Sequence, residues 1–180
     1  MFEHLINKYY PEIINKSKYD KKLRKILIST IFFLNMLVYS IPLYLYSYYY
    51  IILPKNILIF YTDFLSSILD YLNINHSVYE NLIYVKNFSF IISQECFGLK
   101  SFFSVFAMIF STPIKNVYKK LKYFLLFGII AFLINIIRLV SVFYLFYYYN
   151  LDAYFIHDVL WEILVTLIII ILWLIFLLKN

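Results

Sequence analysis

The one candidate nucleophile of this chain is a thiol. Cys96 is its single cysteine, set in the run Gln94-Glu95-Cys96-Phe97-Gly98-Leu99-Lys100-Ser101, where a polar stretch meets a long apolar one. Without a second cysteine no intrachain disulfide forms, which leaves an inert buried side chain or a reactive thiolate. The neighbours favour the thiolate. Gly98, one of two glycines in the chain, stands two residues later, and Lys100 and Ser101 close the first turn of the helix expected to follow. A nucleophile mounted there meets unsatisfied backbone N–H groups and the positive end of a helix dipole, and both favour an anion.

Two further side chains are candidates for work on a thiol. Arg138 is the charged residue deep inside a long apolar stretch, with Asn135 three residues earlier on the same helical face. A guanidinium in the membrane is costly and usually faces the protein interior with a partner, so its bland role is a hydrogen-bonding clamp between helices. His157 lies beside Asp158, just before the last apolar run. On its own such a histidine reads as a polar interface residue, and its weight comes from standing on the same side of the membrane as Cys96 and Arg138. His4 and His76 lack comparable neighbours. No ligand cluster with metal spacing and no phosphate-binding glycine loop is present in the sequence, so no cofactor is expected.

The elements that must position these groups follow from composition. With 64% hydrophobic, 23% aromatic and 14% charged residues, the 180-residue chain lies outside the range of soluble domains and reads as an all-α membrane protein. The expected architecture is a polytopic bundle of about four spans, at 26–53, 97–112, 123–149 and 159–178. The second span, about 16 residues or roughly 24 Å, is shorter than a hydrocarbon core of ~30 Å, which recesses the thiol below the surface. The first is bent at Pro42. It exceeds a signal-peptide core and lacks a small-residue cleavage pattern, so it is expected to remain as a helix.

Residues 1–25 read as a basic amphipathic anchor and 26–180 as a single membrane domain. The connection 54–95 is expected to hold an interfacial amphipathic helix over Ile57 to Leu72 and, between Val78 and Ile92, a short β-hairpin turning at Lys86-Asn87. Lysine and arginine crowd before the first span and between the second and third, whereas acids dominate 54–95 and 150–158. The positive-inside rule then places both termini in the cytoplasm and Cys96 and His157 outside. The net charge of +6 is accounted for by anchoring to anionic lipid, with no nucleic-acid partner.

Cys96-Phe97-Gly98-Leu99-Lys100-Ser101, Asn135-Ile136-Ile137-Arg138 and His157, in that order on successive helices, resemble the Cys-[Ser/Thr]-Gly-[Ile/Leu]-x-Ser, Asn-x-x-Arg and His/Arg signatures of the exosortase/archaeosortase family. Phe97 departs from the small hydroxyl residue usual after the cysteine, and the short chain is more similar to archaeosortase-like members. The resemblance implies a cell-membrane cysteine transpeptidase with Cys96, Arg138 and His157 as catalytic residues and Gly98, Lys100, Ser101 and Asn135 in support. It implies as partners secreted proteins that end in a short recognition motif, a transmembrane helix and a basic tail, joined through a thioester to a membrane lipid or another acceptor. Two alternatives are compatible with the residues: a small transporter or channel subunit with Arg138, Asn135 and Glu162 along a polar path, and a non-enzymatic assembly protein packing through its aromatic faces.

Overall fold

A computed structural model describes residues 20–48, 50–114 and 116–179, so the anchor expected at 1–25 lies almost wholly outside the described residues. Asp20 opens the first helix, α1 (Lys21–Tyr39), its carboxylate accepting from the backbone N–H groups of Lys22 and Leu23 at 2.8 and 3.2 Å. The helix breaks at Ser40, and α2 (Ile41–Ser47) continues with Pro42 in its first turn. The break thus falls just ahead of the proline, where a missing N–H costs least.

Next comes α3 (Lys55–Tyr71), the expected amphipathic helix, which buries Tyr61, Thr62, Leu65 and Leu69. That face packs on a three-stranded antiparallel sheet, β1 (His76–Tyr79), β2 (Leu82–Val85) and β3 (Phe88–Ile91), in the order β1-β2-β3. The hairpin turning at Lys86-Asn87 is β2-β3, and β1 extends it to a sheet of three. Glu80 and Lys86, the first residues of the two turns, take positive φ of 52° and 55°. His76 ties sheet to helix, Nε2 against Ser66 Oγ at 2.6 Å and Nδ1 against the Ile74 carbonyl at 2.8 Å.

A 3₁₀ turn (Gln94–Phe97) carries the cysteine into α4 (Leu99–Ser111), a 13-residue apolar helix that packs against α1, α5 and α6 at the centre of the bundle. Its contact with α5 is close at Gly128, where an added Cβ would lie 2.8 Å from the Phe102 ring. α5 (Val117–Tyr149) is the longest element at 33 residues. It starts six residues before the apolar stretch because Asn116 caps it, accepting from Lys119 N at 3.0 Å. A π-helical turn (Phe155–Leu160) leads into α6 (Trp161–Leu178).

The protein is a mostly helical membrane protein. Among the described residues three segments, Lys21–Ser47, Val117–Tyr149 and Phe155–Leu178, are long and apolar enough to span a bilayer, and α4 is shorter. Two apolar cores hold the molecule. One, around Leu65, Leu69, Ile83, Val85, Leu139 and Phe143, joins the sheet to the upper part of α5. The other, around Val105, Ile109, Phe127, Ala131, Leu172 and Phe176, joins α4, α5 and α6. Phe33, Leu37, Ile129, Leu133, Ile163 and Ile171 project outward from the spans, as lipid-facing residues do.

Candidate active site

Cys96 is held from both sides of its turn. Its N–H donates to the Ser93 carbonyl at 3.0 Å, and its own carbonyl accepts from Asn135 Nδ2 at 2.7 Å. Asn135, fully enclosed on α5, also donates to the Tyr61 hydroxyl at 3.3 Å, so one amide fastens α3, α5 and the cysteine turn together. Burial raises the Tyr61 phenol to about 12, so it is neutral near pH 7 and serves as a hydrogen-bonding support, not a base.

Gly98 makes this junction possible. Its φ is +85°, a conformation that disfavours any Cβ, and a Cβ built there would lie 2.8 Å from Asn135 Cγ and Nδ2. The glycine expected to mount the nucleophile is therefore required twice, for the reversal from the 3₁₀ turn into α4 and for the approach of Asn135.

Phe97 points away from the chemistry. Its ring packs on Tyr61 and Phe132 at centroid distances of 4.9 and 6.0 Å, wedging α3 against α5. An aromatic ring at this position adds packing where a small hydroxyl residue would offer a hydrogen bond.

One turn beyond Asn135, Arg138 reaches across to α6's leading turn, where its Nη2 donates to His157 Nε2 at 3.3 Å. Because a guanidinium has no acceptor, Nε2 of the neutral ring presents its lone pair to Arg138, and the ring proton then resides on Nδ1. Nδ1 donates to the Asp158 carboxylate. The sequence places His157 in a loop before the last span; the structure corrects this, setting it within a π-helical turn continuous with α6. The wider turn sets His157 against Arg138 of α5. Ser141 secures the pairing of the two helices, donating to the Arg138 carbonyl at 2.7 Å and accepting from Trp161 Nε1 at 2.8 Å. Arg138 Nε is buried and has no hydrogen-bond partner among the described residues, which leaves a spare donor at the centre of the cluster.

The thiol lies against this imidazole. Burial pushes Cys96 up, but the hydrogen bond its thiolate accepts from the charged His157 ring, together with the backbone and side chain of Ser93, outweighs it and holds the thiol below its usual value. The Ser93 hydroxyl is 3.8 Å from Sγ. An imidazole able to take the proton and a depressed thiol are the two conditions for a cysteine nucleophile.

Two cavities meet at His157 and Asp158. One, of about 280 Å³ and mostly apolar, is lined by Cys96, Ile92, Leu139, Val142, Phe143 and Tyr154. The other, of about 320 Å³, is lined by Arg138, Ser101, Ser104, Glu162, and Glu95 with Lys100. Cys96 borders the first and Arg138 the second, with the imidazole as the wall between. Ser101 is buried against the polar cavity, and Lys100 is engaged with Glu95 at 2.8 Å.

Cys96, Arg138, His157, Asn135 and Gly98 thus form one contiguous cluster, with Ser101 and Lys100 along the polar side. Asp158, Tyr61 and Ser93 belong to it as well. Adjacency to His157 is the sequence signal for Asp158, whereas Tyr61 meets Asn135 across 74 residues with no local sign. The family model described as "Transmembrane exosortase" matches residues 22–176. No curated protein and no solved structure matches the chain.

Proposed function

This chain belongs to the transmembrane exosortase family, and from that premise we propose that it is a membrane cysteine transpeptidase acting on C-terminal sorting signals of secreted proteins. The observation that carries the proposal is the convergence of Cys96, Arg138 and His157, from three separate segments, around one imidazole whose tautomer is fixed by Asp158.

In the proposed reaction Cys96 Sγ gives its proton to His157 Nε2 and attacks the scissile carbonyl carbon. Asp158 holds the Nδ1 proton and stabilises the imidazolium. As Nε2 becomes protonated, Arg138 loses its acceptor there and turns its donors toward the thiolate and the developing oxyanion, where each ~1.4 kcal/mol of differential stabilisation gives a tenfold rate. The carbon–nitrogen bond breaks, Nε2 returns the proton to the leaving amine, and a thioester remains on Cys96. An acceptor nucleophile then gives its proton to Nε2 and displaces Sγ. The polar cavity, beside Arg138 and lined by Ser101, Ser104 and Thr166, suits an acceptor held at a lipid headgroup.

The active site faces outward and both termini face the cytoplasm in this proposal, and a reporter fused after Lys122 that appears outside the cell would overturn it. The decisive test uses a tagged secreted protein from the same genome that ends in a motif, a transmembrane helix and a basic tail. Cells with the wild-type chain shorten it; Cys96→Ala and Cys96→Ser, inserted at equal levels, leave it intact. Complete shortening in either variant refutes the assignment and favours a transport or assembly role.

A further inference from the structure

The sheet ends in an open edge beside the thiol. In the β2-β3 ladder Leu82 faces Ile91 and Ile83 faces Phe90, and just beyond it Ile92 N donates to the Asn81 carbonyl at 2.8 Å. Backbone groups alternate in direction along an antiparallel strand. If Ile92 points toward β2, so do Phe90 and Phe88, and the N–H and C=O groups of Ser89 and Ile91 point to the free edge. An independent contact agrees: the Ile91 carbonyl lies 4.0 Å from Cys96 Sγ. No backbone hydrogen bond among the described residues engages that edge, and Ser89 and Ile91 are exposed.

The same strand forms a wall of the apolar cavity. Phe90, Ile91 and Ile92 face Leu139, Val142 and Phe143 of α5 and Ala153 and Tyr154 ahead of the π-turn, with Cys96 and His157 at the base. Its volume, about 280 Å³, is close to the lower bound of ligand pockets, ~300 Å³. A row of unpaired peptide groups leading to a nucleophile, beside an apolar recess, fits one kind of ligand: an extended chain that pairs by its backbone and inserts a side chain.

We propose that the acyl-donor segment of the substrate binds as a fourth strand on the free edge of β3, with one apolar side chain next to the scissile bond lodged in this cavity. The proposal rests on Cys96 being the nucleophile. It divides recognition into two parts: main-chain pairing with Ser89 and Ile91 supplies affinity, and the cavity supplies selectivity for an apolar side chain.

Because Cys96 is the only cysteine, its alkylation reports binding directly in the purified full-length protein. The probes are acetyl-Ala-Ala-Ala-Leu chloromethyl ketone, its analogue ending in Asp, and versions of the Leu probe methylated at each backbone nitrogen in turn; iodoacetamide measures the thiol itself. The Leu probe should outpace the Asp probe by about tenfold or more, and N-methylation should slow it with period two, one position costing about tenfold and the next little. Ser89→Pro, which removes an edge-facing N–H and spares the β2 ladder, should slow the Leu probe by a similar factor with the iodoacetamide rate unchanged. If Ser89→Pro slows both reagents, the N-methyl series on the unaltered protein decides. Brisk iodoacetamide reaction with no period-two pattern, or with equal Leu and Asp rates, overturns the strand proposal alone. A Cys96 inert to iodoacetamide overturns the nucleophile assignment and this proposal with it.

Discussion

Gly98→Ala should disable the site by a route that can be traced atom by atom. A Cβ at φ +85° incurs the cost of the left-handed region, roughly 1–2 kcal/mol, and lies 2.8 Å from two atoms of Asn135. Forcing such a contact in a packed interior costs roughly 1–3 kcal/mol more, so the folded state should lose about 2–5 kcal/mol, readable as a lower midpoint of unfolding in detergent. The functional loss is separate. Asn135 cannot retreat without releasing the Cys96 carbonyl it holds at 2.7 Å, and a displacement of the order of 1 Å at a nucleophile costs about a hundredfold in rate. Substrate shortening should therefore fall about a hundredfold, with iodoacetamide alkylation of Cys96 altered in parallel. A double-mutant cycle isolates the cause. Asn135→Ala alone leaves a buried carbonyl without its side-chain donor, at about 1–3 kcal/mol, but it also removes Cγ and Nδ2, two of the three atoms the new methyl meets, while Cβ at 2.9 Å remains. The double variant should thus be less destabilised than the two single losses added together, by part of the steric share of about 1–3 kcal/mol. Strict additivity, or an unimpaired Gly98→Ala, would refute the argument that glycine is needed for the approach of Asn135.

Three other outcomes follow from the same geometry. The rate of Cys96 alkylation against pH should inflect below the ordinary thiol value of about 8.5, since the hydrogen bonds from His157 and Ser93 favour the anion more than burial disfavours it; in His157→Ala burial persists without the imidazole, so the inflection should rise and the rate at pH 7 drop by about tenfold or more. Asp158→Asn keeps an acceptor for Nδ1 but removes the charge that stabilises the imidazolium, and should lower shortening about tenfold with a raised inflection for Cys96; an unchanged profile would deny Asp158 its positioning role. Arg138→Lys retains a cation but loses the planar fork of donors that passes from Nε2 to the thiolate and the oxyanion, so turnover should fall at least about tenfold with little change in KM; wild-type turnover would reduce Arg138 to a counter-charge.

The parts of the site legible in the sequence are those whose physics is local. Gly98 could be read as a helix-start glycine, Asn135 and Arg138 as one helical face, and Lys86-Asn87 as the turn of a hairpin. Element boundaries were less legible where composition and hydrogen bonding diverge. α5 begins at Val117 amid lysines, because long cationic side chains can lie along a helix that composition alone starts later. β1 does not read as a separate strand because His76 and Ser77 break the apolar alternation, yet His76 is turned inward to Ser66. The π-turn around His157 has no sequence mark, since an extra residue in a helical turn is selected by packing on α5. The pairing of Asn135 with Tyr61 depends on the fold as a whole.

The length of α5 sets a scale for the cut itself. At 1.5 Å per residue its 33 residues measure about 50 Å, some 20 Å more than a hydrocarbon core, so the helix must lean or protrude. Its upper turns carry the sheet through Phe143 and Phe146 against Phe90, at centroid distances of 5.1 and 5.3 Å, and through Lys86 on the Tyr147 carbonyl at 2.7 Å. Lower down, Asn135 holds the cysteine turn. Sheet, thiol and guanidinium are therefore mounted on a single rod. A thinner or thicker bilayer changes the lean of that rod and lifts or lowers the whole assembly, while the distances inside it stay the same. On the proposed reading, α5 is a gauge: it fixes how many residues separate the severed bond from the membrane plane, independently of the letters of the sorting signal.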